Sequence, residues 1–151
     1  MFLWIKGQTD SEHLFALFLD HLKKAGVKPT PDQVADAFEA MITDMKKLMR
    51  QHAITEPAYL NMVYTDGRIA VGLRYVTDRS APLTMYCSEG KKYICTDNVC
   101  RMVRDTDKKE HASMIVSEKL TDIADDFAEV PPHHYVLVDA GLRVTFRASQ
   151  V

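Results

Sequence analysis

The spacing of apolar residues changes once along this chain, and that change constrains its fold more than any other feature. Between Thr9 and about His52 the apolar residues recur at helical intervals, and from about Tyr59 onward they alternate as in strands. A helical stripe followed by alternating runs predicts an α+β arrangement, with two N-terminal helices and then an antiparallel sheet. The first helix reads from TDSEHLFALFLDHLKKAG. Thr9 and Glu12 have capping-box spacing, Leu14, Leu17, Phe18 and Leu22 share a face, and Gly26 supplies the stop. The second starts at TPDQ, with Thr30 as cap, Pro31 at the first helical position and Gln33 closing a second box. Val34, Ala37, Phe38, Met41, Met45, Leu48 and Met49 form its stripe.

Two strand-like runs flank Asp66-Gly67, a dipeptide that supplies positive φ in a tight hairpin turn. LTMYCSE, KKYICTDN, ASMIVSEKL, HYVLVDA and LRVTFRA continue as strands, Gly141 marks another turn, and TDIADDFAEVPP reads as a polar loop with one helical turn at most. The opening MFLWI reads as a strand too short for a membrane span or a signal-peptide core. YLNMVY, IAVGL and SMIV carry few charges on either alternating face, as in sheets covered on both sides. Two helices cover only one face, so a further layer is expected.

A chain of 151 residues with 46% hydrophobic content suits a single domain. Nineteen basic and twenty-one acidic residues nearly cancel without clustering, which excludes an electrostatic footprint for nucleic acid or an anionic membrane. The partner expected is a small molecule or a protein. Cys87, Cys95 and Cys100 are odd in number and lack C-x-x-C spacing, which argues against a disulfide framework and a zinc site and favours a reducing, cytoplasmic setting.

Candidate reactive groups are sparse. A thiol nucleophile needs a neighbour that favours the thiolate, whereas all three cysteines lie in apolar strand context, where burial keeps them protonated. His133 and His134 are adjacent, so on a strand they face opposite ways and cannot chelate one metal. His13 and His21 share no face with a third ligand, and Ser117 sits in no nucleophile elbow. No metal or cofactor is called for. Asp10 is different in kind. At the start of a helix its carboxylate meets the partial positive charge of the free amides, so it either stabilises the helix or holds a ligand's ammonium group.

Four stretches, GQTDSEHLFALFLDHL, LNMVYTDGRIAVGLRYV, SMIVSEKLTD and FAEVPPHHYVLVD, resemble in order and spacing the second half of the class-II (N-terminal-nucleophile) glutamine amidotransferase domain. The branch resembled includes bacterial stand-alone amidotransferase-like proteins, the γ-glutamyl hydrolase of ergothioneine synthesis and the fungal glutathione-degradation subunit. The resemblance covers essentially the whole chain, with Lys119 and Phe127 standing where the family commonly has Pro and Trp. It implies part of an αββα sandwich, and hydrolysis of the γ-amide of glutamine or of a γ-glutamyl compound through a thioester on an N-terminal cysteine. It also implies that Asp10, in the T-D-S-E motif, binds the substrate's α-ammonium. Residue two is Phe2, so the expectation is that residues 1–151 form the C-terminal portion of such a domain, with no catalytic residue in this chain and no activity of its own. Two alternatives stand beside it: a non-catalytic interaction module pairing through an exposed sheet, and an unrelated α+β enzyme using Cys95 or Cys100.

Overall fold

The computed structural model describes residues 5–97, 99–104, 112–123 and 125–151, so the MFLWI strand lies, but for Ile5, outside the described residues. Helix α1 spans Asp10–Leu22, a 3-10 turn follows at Lys23–Ala25, and α2 spans Pro31–Gln51. Among the described residues nine strands come next: β1 (Tyr59–Thr65), β2 (Ala70–Val76), β3 (Tyr86–Glu89), β4 (Lys91–Thr96), β5 (Val99–Arg104), β6 (Ser113–Val116), β7 (Ala128–Glu129), β8 (His134–Val138) and β9 (Val144–Ala148). The fold is α+β, as the change of period implies.

Both helices start where their capping residues say. Thr30 accepts from the Gln33 amide at 3.3 Å and Gln33 returns a bond to the Thr30 amide at 2.9 Å, a complete capping box. In α1 the Thr9 hydroxyl accepts from the Glu12 amide, but the Glu12 carboxylate reaches further back, to the amides of Lys6 and Gly7 at 2.8 Å each. A Cβ on Gly7 would lie 2.3 Å from the Glu12 Oε2, so a side chain there would displace the carboxylate from its present position. Gly26, at φ 87, ends the 3-10 turn in the left-handed region.

The strands form three antiparallel groups, not one sheet. Four of them lie in the order β1-β2-β8-β9, three in the order β6-β3-β7, and β4 with β5 makes a separate ribbon. Alternation along β2 divides the core. Val71, Leu73 and Tyr75 face the helices and join Phe18, Phe38 and Met41 in one apolar cluster. Gly72, Arg74 and Val76 fall on the opposite face, toward the three-stranded sheet. Met85, Cys87, Val130 and Val136 form a second cluster there, with Ile115 and Val144 packed on it. The cover that two helices could not provide therefore comes, across β2 and β8, from strands of the same chain.

Two residues hold the sheets together. Gly72 leaves no room for a side chain, since a Cβ there would lie 2.6 Å from Val136 Cγ1 on the neighbouring strand of its own sheet and 3.2 Å and 3.3 Å from Met85 Sδ and Ile115 Cγ2 on the facing side. Arg74, almost wholly buried, donates to Leu83 O at 2.7 Å, to Glu129 Oε1 at 2.8 Å and to Val130 O, so its charge is satisfied by acceptors on β7 and the adjoining loops, across from its own strand. On the far side of the four-stranded sheet, Arg147 of β9 reaches α2, meeting Asp36 at 2.5 Å and the Asp32 carbonyl at 3.1 Å.

The Asp66-Gly67 connection departs from a two-residue turn. Thr65 pairs with Ala70, leaving four residues between the strands, and of Asp66 and Gly67 only the glycine has positive φ. Asp66 Oδ1 accepts from the amides of Arg68 and Ile69, which closes the longer loop. His133 lies outside β8 at φ 55, with its ring edge-on to Tyr75, so the two histidines are not neighbours on one strand. In the polar loop after β6, Ala128–Glu129 pair with β3 as a short strand.

Replacing Gly72 with alanine should overpack the sheet interface, lowering stability by about 1–3 kcal/mol and the melting temperature by roughly 2–4 °C for each kcal/mol. Thermal denaturation followed by circular dichroism reads this directly, and an unchanged midpoint would contradict the close approach of the sheets. Thr30→Ala should cost about 1 kcal/mol through loss of the helix cap.

Candidate functional site

Strand β1 is an edge strand, hydrogen-bonded to β2 and, among the described residues, to no other strand. Leu60, Met62 and Tyr64 turn toward the helices, which puts Tyr59, Asn61 and Val63 on the other face. The three-stranded sheet does not extend over the whole of that face, so Tyr59 and Val63 stay exposed. A cavity of about 670 Å³ runs along this edge, with Pro57 to Val63 on one side and Asp10, Ser11 and Leu14 of α1 on the other.

The position of Asp10 follows from the capping arrangement. Thr9 and Glu12 satisfy the helix entry, so the Asp10 carboxylate is not needed as the cap. Its Oδ1 accepts from the Ser11 amide at 2.7 Å and the Ser11 hydroxyl at 3.3 Å. Among the described residues it has no cationic partner, and it lies exposed on the wall of the cavity. An anion at a helix start is stabilised by the amide dipoles and available to a cation.

Asn61 was not singled out by sequence reasoning, although it opens the L-N-x-x-x-T-D-G stretch. Its Nδ2 donates to Thr84 O at 2.7 Å, which fixes the amide's orientation because a carbonyl can only accept. Its Oδ1 is buried without a partner among the described residues. The lining residues of the cavity thus offer acceptors, Asp10 and Asn61, and among those described no lysine, arginine or histidine.

The other sequence candidates do not join this site. Cys87 is a buried free thiol of the inter-sheet core, and burial, with Glu89 nearby, pushes its pKa up to about 11. Cys95 corrects the sequence reading, since it is exposed and disulfide-bonded where a buried thiol was expected. Its strand belongs to a two-stranded ribbon that, among the described residues, pairs with neither of the other sheets. The side chain of Cys100 lies outside the described residues. His21 bonds Asp44 of α2 at 2.9 Å, His13 is exposed, and Ser117 gives its carbonyl to Thr84 Oγ1. Lys119 sits over the Tyr86 ring at 5.2 Å and Phe127 is buried, so both departures from the family pattern are absorbed by packing. No cluster of three His, Cys, Asp or Glu residues suited to a metal occurs among the described residues, and no helix there is long and apolar enough to cross a membrane.

At pH 7 Cys87 should alkylate far more slowly than free cysteine, with its rate rising on denaturation. The sign of its pH dependence is fixed by the raised pKa: folding favours the protonated thiol, so its contribution to stability is present below the ordinary thiol pKa and is lost as pH rises through about 11. Cys87→Ser should remove that alkaline component from a pH series of unfolding curves.

No family profile matches the chain. It is 32% identical over 149 residues to the probable glutamine amidotransferase DUG3 of Saccharomyces cerevisiae, an alignment that takes in 89% of this chain and 41% of that protein. Its fold matches a solved glutamine aminotransferase class-II domain protein from Silicibacter pomeroyi, with a TM-score of 0.62 and 24% identity over 95% of this chain and 53% of the other. The chain therefore spans about half or less of the length of the proteins it matches. Motif order, the yeast relative and the shared fold agree: over about half or less of their length, the chain is similar to class-II glutamine amidotransferase-like proteins.

Proposed function

We propose that this chain supplies the substrate-holding part of a class-II amidotransferase domain whose substrate is glutamine or another γ-glutamyl compound. In this reading the α-ammonium of the substrate binds the Asp10 carboxylate, and its γ-amide is opened by a cysteine thiolate outside residues 1–151, through a thioester. The observation that carries it is the position of Asp10, an exposed anion on the wall of a cavity, spared from capping by Thr9 and Glu12, within the fold of that family. Residues 1–151 act as the C-terminal portion of the domain. The alignment to 41% of the yeast relative supports this, as does the unpaired edge of β1, which offers a row of backbone donors and acceptors to an added strand.

The chain alone is inactive in this reading. Covalent amide hydrolysis needs a thiolate with a base beside it, and Cys87 is buried and held protonated while Cys95 is in a disulfide. Neither a metal nor a cofactor is required. As to location, the free thiol of Cys87 favours a cytoplasmic setting and the disulfide at Cys95 weighs against one. A second reading, as a non-catalytic interaction module, draws on the exposed Tyr59 and Val63 of the same edge strand.

Purified chain incubated with L-glutamine should release no ammonia above the buffer blank, and robust thiol-dependent release would overturn the proposal. Glutamine should nevertheless perturb the amide resonances around Asp10 and β1, and Asp10→Asn should abolish that perturbation. The interaction-module reading instead expects concentration-dependent association on size exclusion, relieved by Val63→Lys.

A further inference from the structure

The space between the two larger sheets stays open at the end of the β1–β2 hairpin. Thr65 pairs with Ala70 and Ala70 with Val138, so these residues stand side by side across the four-stranded sheet, on the face that Gly72 turns to Met85 and Ile115. β6 covers that face only from Ser113 to Val116, and Ala70 brings a methyl group where a larger side chain would fill the gap. A cavity of about 280 Å³ results, with Val63, Ala70, Ile115, Val138 and Leu142 among its apolar walls and Arg68 of the hairpin turn beside them. It meets the Asp10 cavity at Val63 and continues along β1 beyond it, whereas Asp10 stands beside Pro57 to Val63.

The polar groups around this cavity narrow its occupant. The Thr65 hydroxyl donates to Ile69 O and accepts from the Gly67 amide, and the Ser113 hydroxyl donates to Leu142 O. Arg68 is less committed. One guanidinium nitrogen donates to Asp66 Oδ2 at 2.6 Å, and its other N–H groups bond nothing among the described residues. Asp66 is fastened to the turn by the Arg68 and Ile69 amides on its Oδ1, so those N–H groups are left for another acceptor.

We propose that this cavity binds a small monocarboxylate with an apolar body, its carboxylate on Arg68 and its body between the sheets. The volume lies just below the roughly 300–1,000 Å³ of sites for drug-sized ligands, so the body is on the scale of a single ring or a short alkyl chain. The apolar walls favour a body without polar atoms, since a hydroxyl or amide placed among them would lose its water and gain no partner. A planar carboxylate matches the fork of a guanidinium. One negative charge is the limit. Asp66 already lies against that guanidinium, and a dianion would crowd further negative charge around a single positive one.

The test titrates the 151-residue chain with benzoate, followed through the methyl resonances of Val63, Ile115, Val138 and Leu142. Benzoate has neither an ammonium group nor a γ-amide, so its binding does not depend on the role given to Asp10, and Asp10→Asn should leave it unchanged. Saturable shifts at these methyls are expected, with an affinity at least about tenfold above that of benzyl alcohol, acetate or phenyl phosphate, which lack in turn the charge, the body and the single charge. Arg68→Gln alters an exposed side chain and should weaken benzoate by about tenfold or more. Asp66→Asn keeps an acceptor for the turn amides but releases the guanidinium, and should tighten binding. The absence of saturable shifts, benzyl alcohol or phenyl phosphate binding as tightly as benzoate, undiminished affinity in Arg68→Gln, or no gain in Asp66→Asn would each overturn the proposal.

Discussion

The stack of Phe18 on Phe38 fixes where everything else in the molecule falls. The two rings lie 4.3 Å apart at an interplanar angle of 23°, with both side chains essentially fully buried. Tyr64 of β1 tilts against Phe18 at 5.6 Å, and Tyr135 of β8 stacks beyond Phe38 at 6.2 Å. Aromatic pairs of this kind add about 0.5–1.5 kcal/mol beyond the area they bury, and they also set orientation. One ladder of rings thus ties α1 to α2, α1 to the edge strand and α2 to the middle of the sheet. With its C-terminal half held so, α1 directs its N-terminus along β1, and Asp10 arrives at the cavity wall as a consequence of core packing.

The other face of the four-stranded sheet shows the complementary constraint. Close contact there depends on the missing side chain of Gly72 and on a buried charge, Arg74, that would be costly without its acceptors on β7 and the adjoining loops. These contacts lie over β2 and β8 and leave the outer face of β1 partly open. The expectation of a missing layer is thereby narrowed. The middle strands β2 and β8 are sheltered on both sides by the chain itself, and what stays unpartnered among the described residues is the two edges, β1 with the cavity beside it and β9.

What could be read from the sequence divides along physical lines. Helix ends depend on bonds between residues three to six apart, so Thr9, Glu12, Thr30 and Gln33 announced them, and the second helix ends within a residue of His52. The stripe failed only at Leu48, which is exposed, whereas the neighbouring Met49 still packs against the core. Strand grouping depends on pairings tens of residues apart, and alternation alone does not tell one sheet from three. For the same reason the exposure of Cys95 was not legible: KKYICTDN reads like a core strand, and only the pairing shows that it belongs to a separate two-stranded ribbon. At the candidate cavity, the place of Asp10 at the helix start was legible from the sequence, whereas that of Asn61 was not. The orphaned Oδ1 is created by the Thr84 carbonyl on a distant segment, a contact that no local pattern signals.

The division of chemistry within the site follows from the same packing. Groups that grip a substrate need a rigid mount more than an altered proton affinity, and a helix start beside an edge strand provides one. A nucleophile needs the opposite, a sulfur whose ionised form is favoured and a base within reach. The four-stranded sheet uses both faces for cohesion, and its neighbouring thiol, Cys87, has been drawn into that cohesion with its proton retained. Only the free edge of β1 lies beside Asp10 without being committed to the core. In the proposed reading, a reactive group introduced along that edge would meet a substrate held by its ammonium end without disturbing either apolar cluster, so the open edge and the anion form two parts of one proposed site.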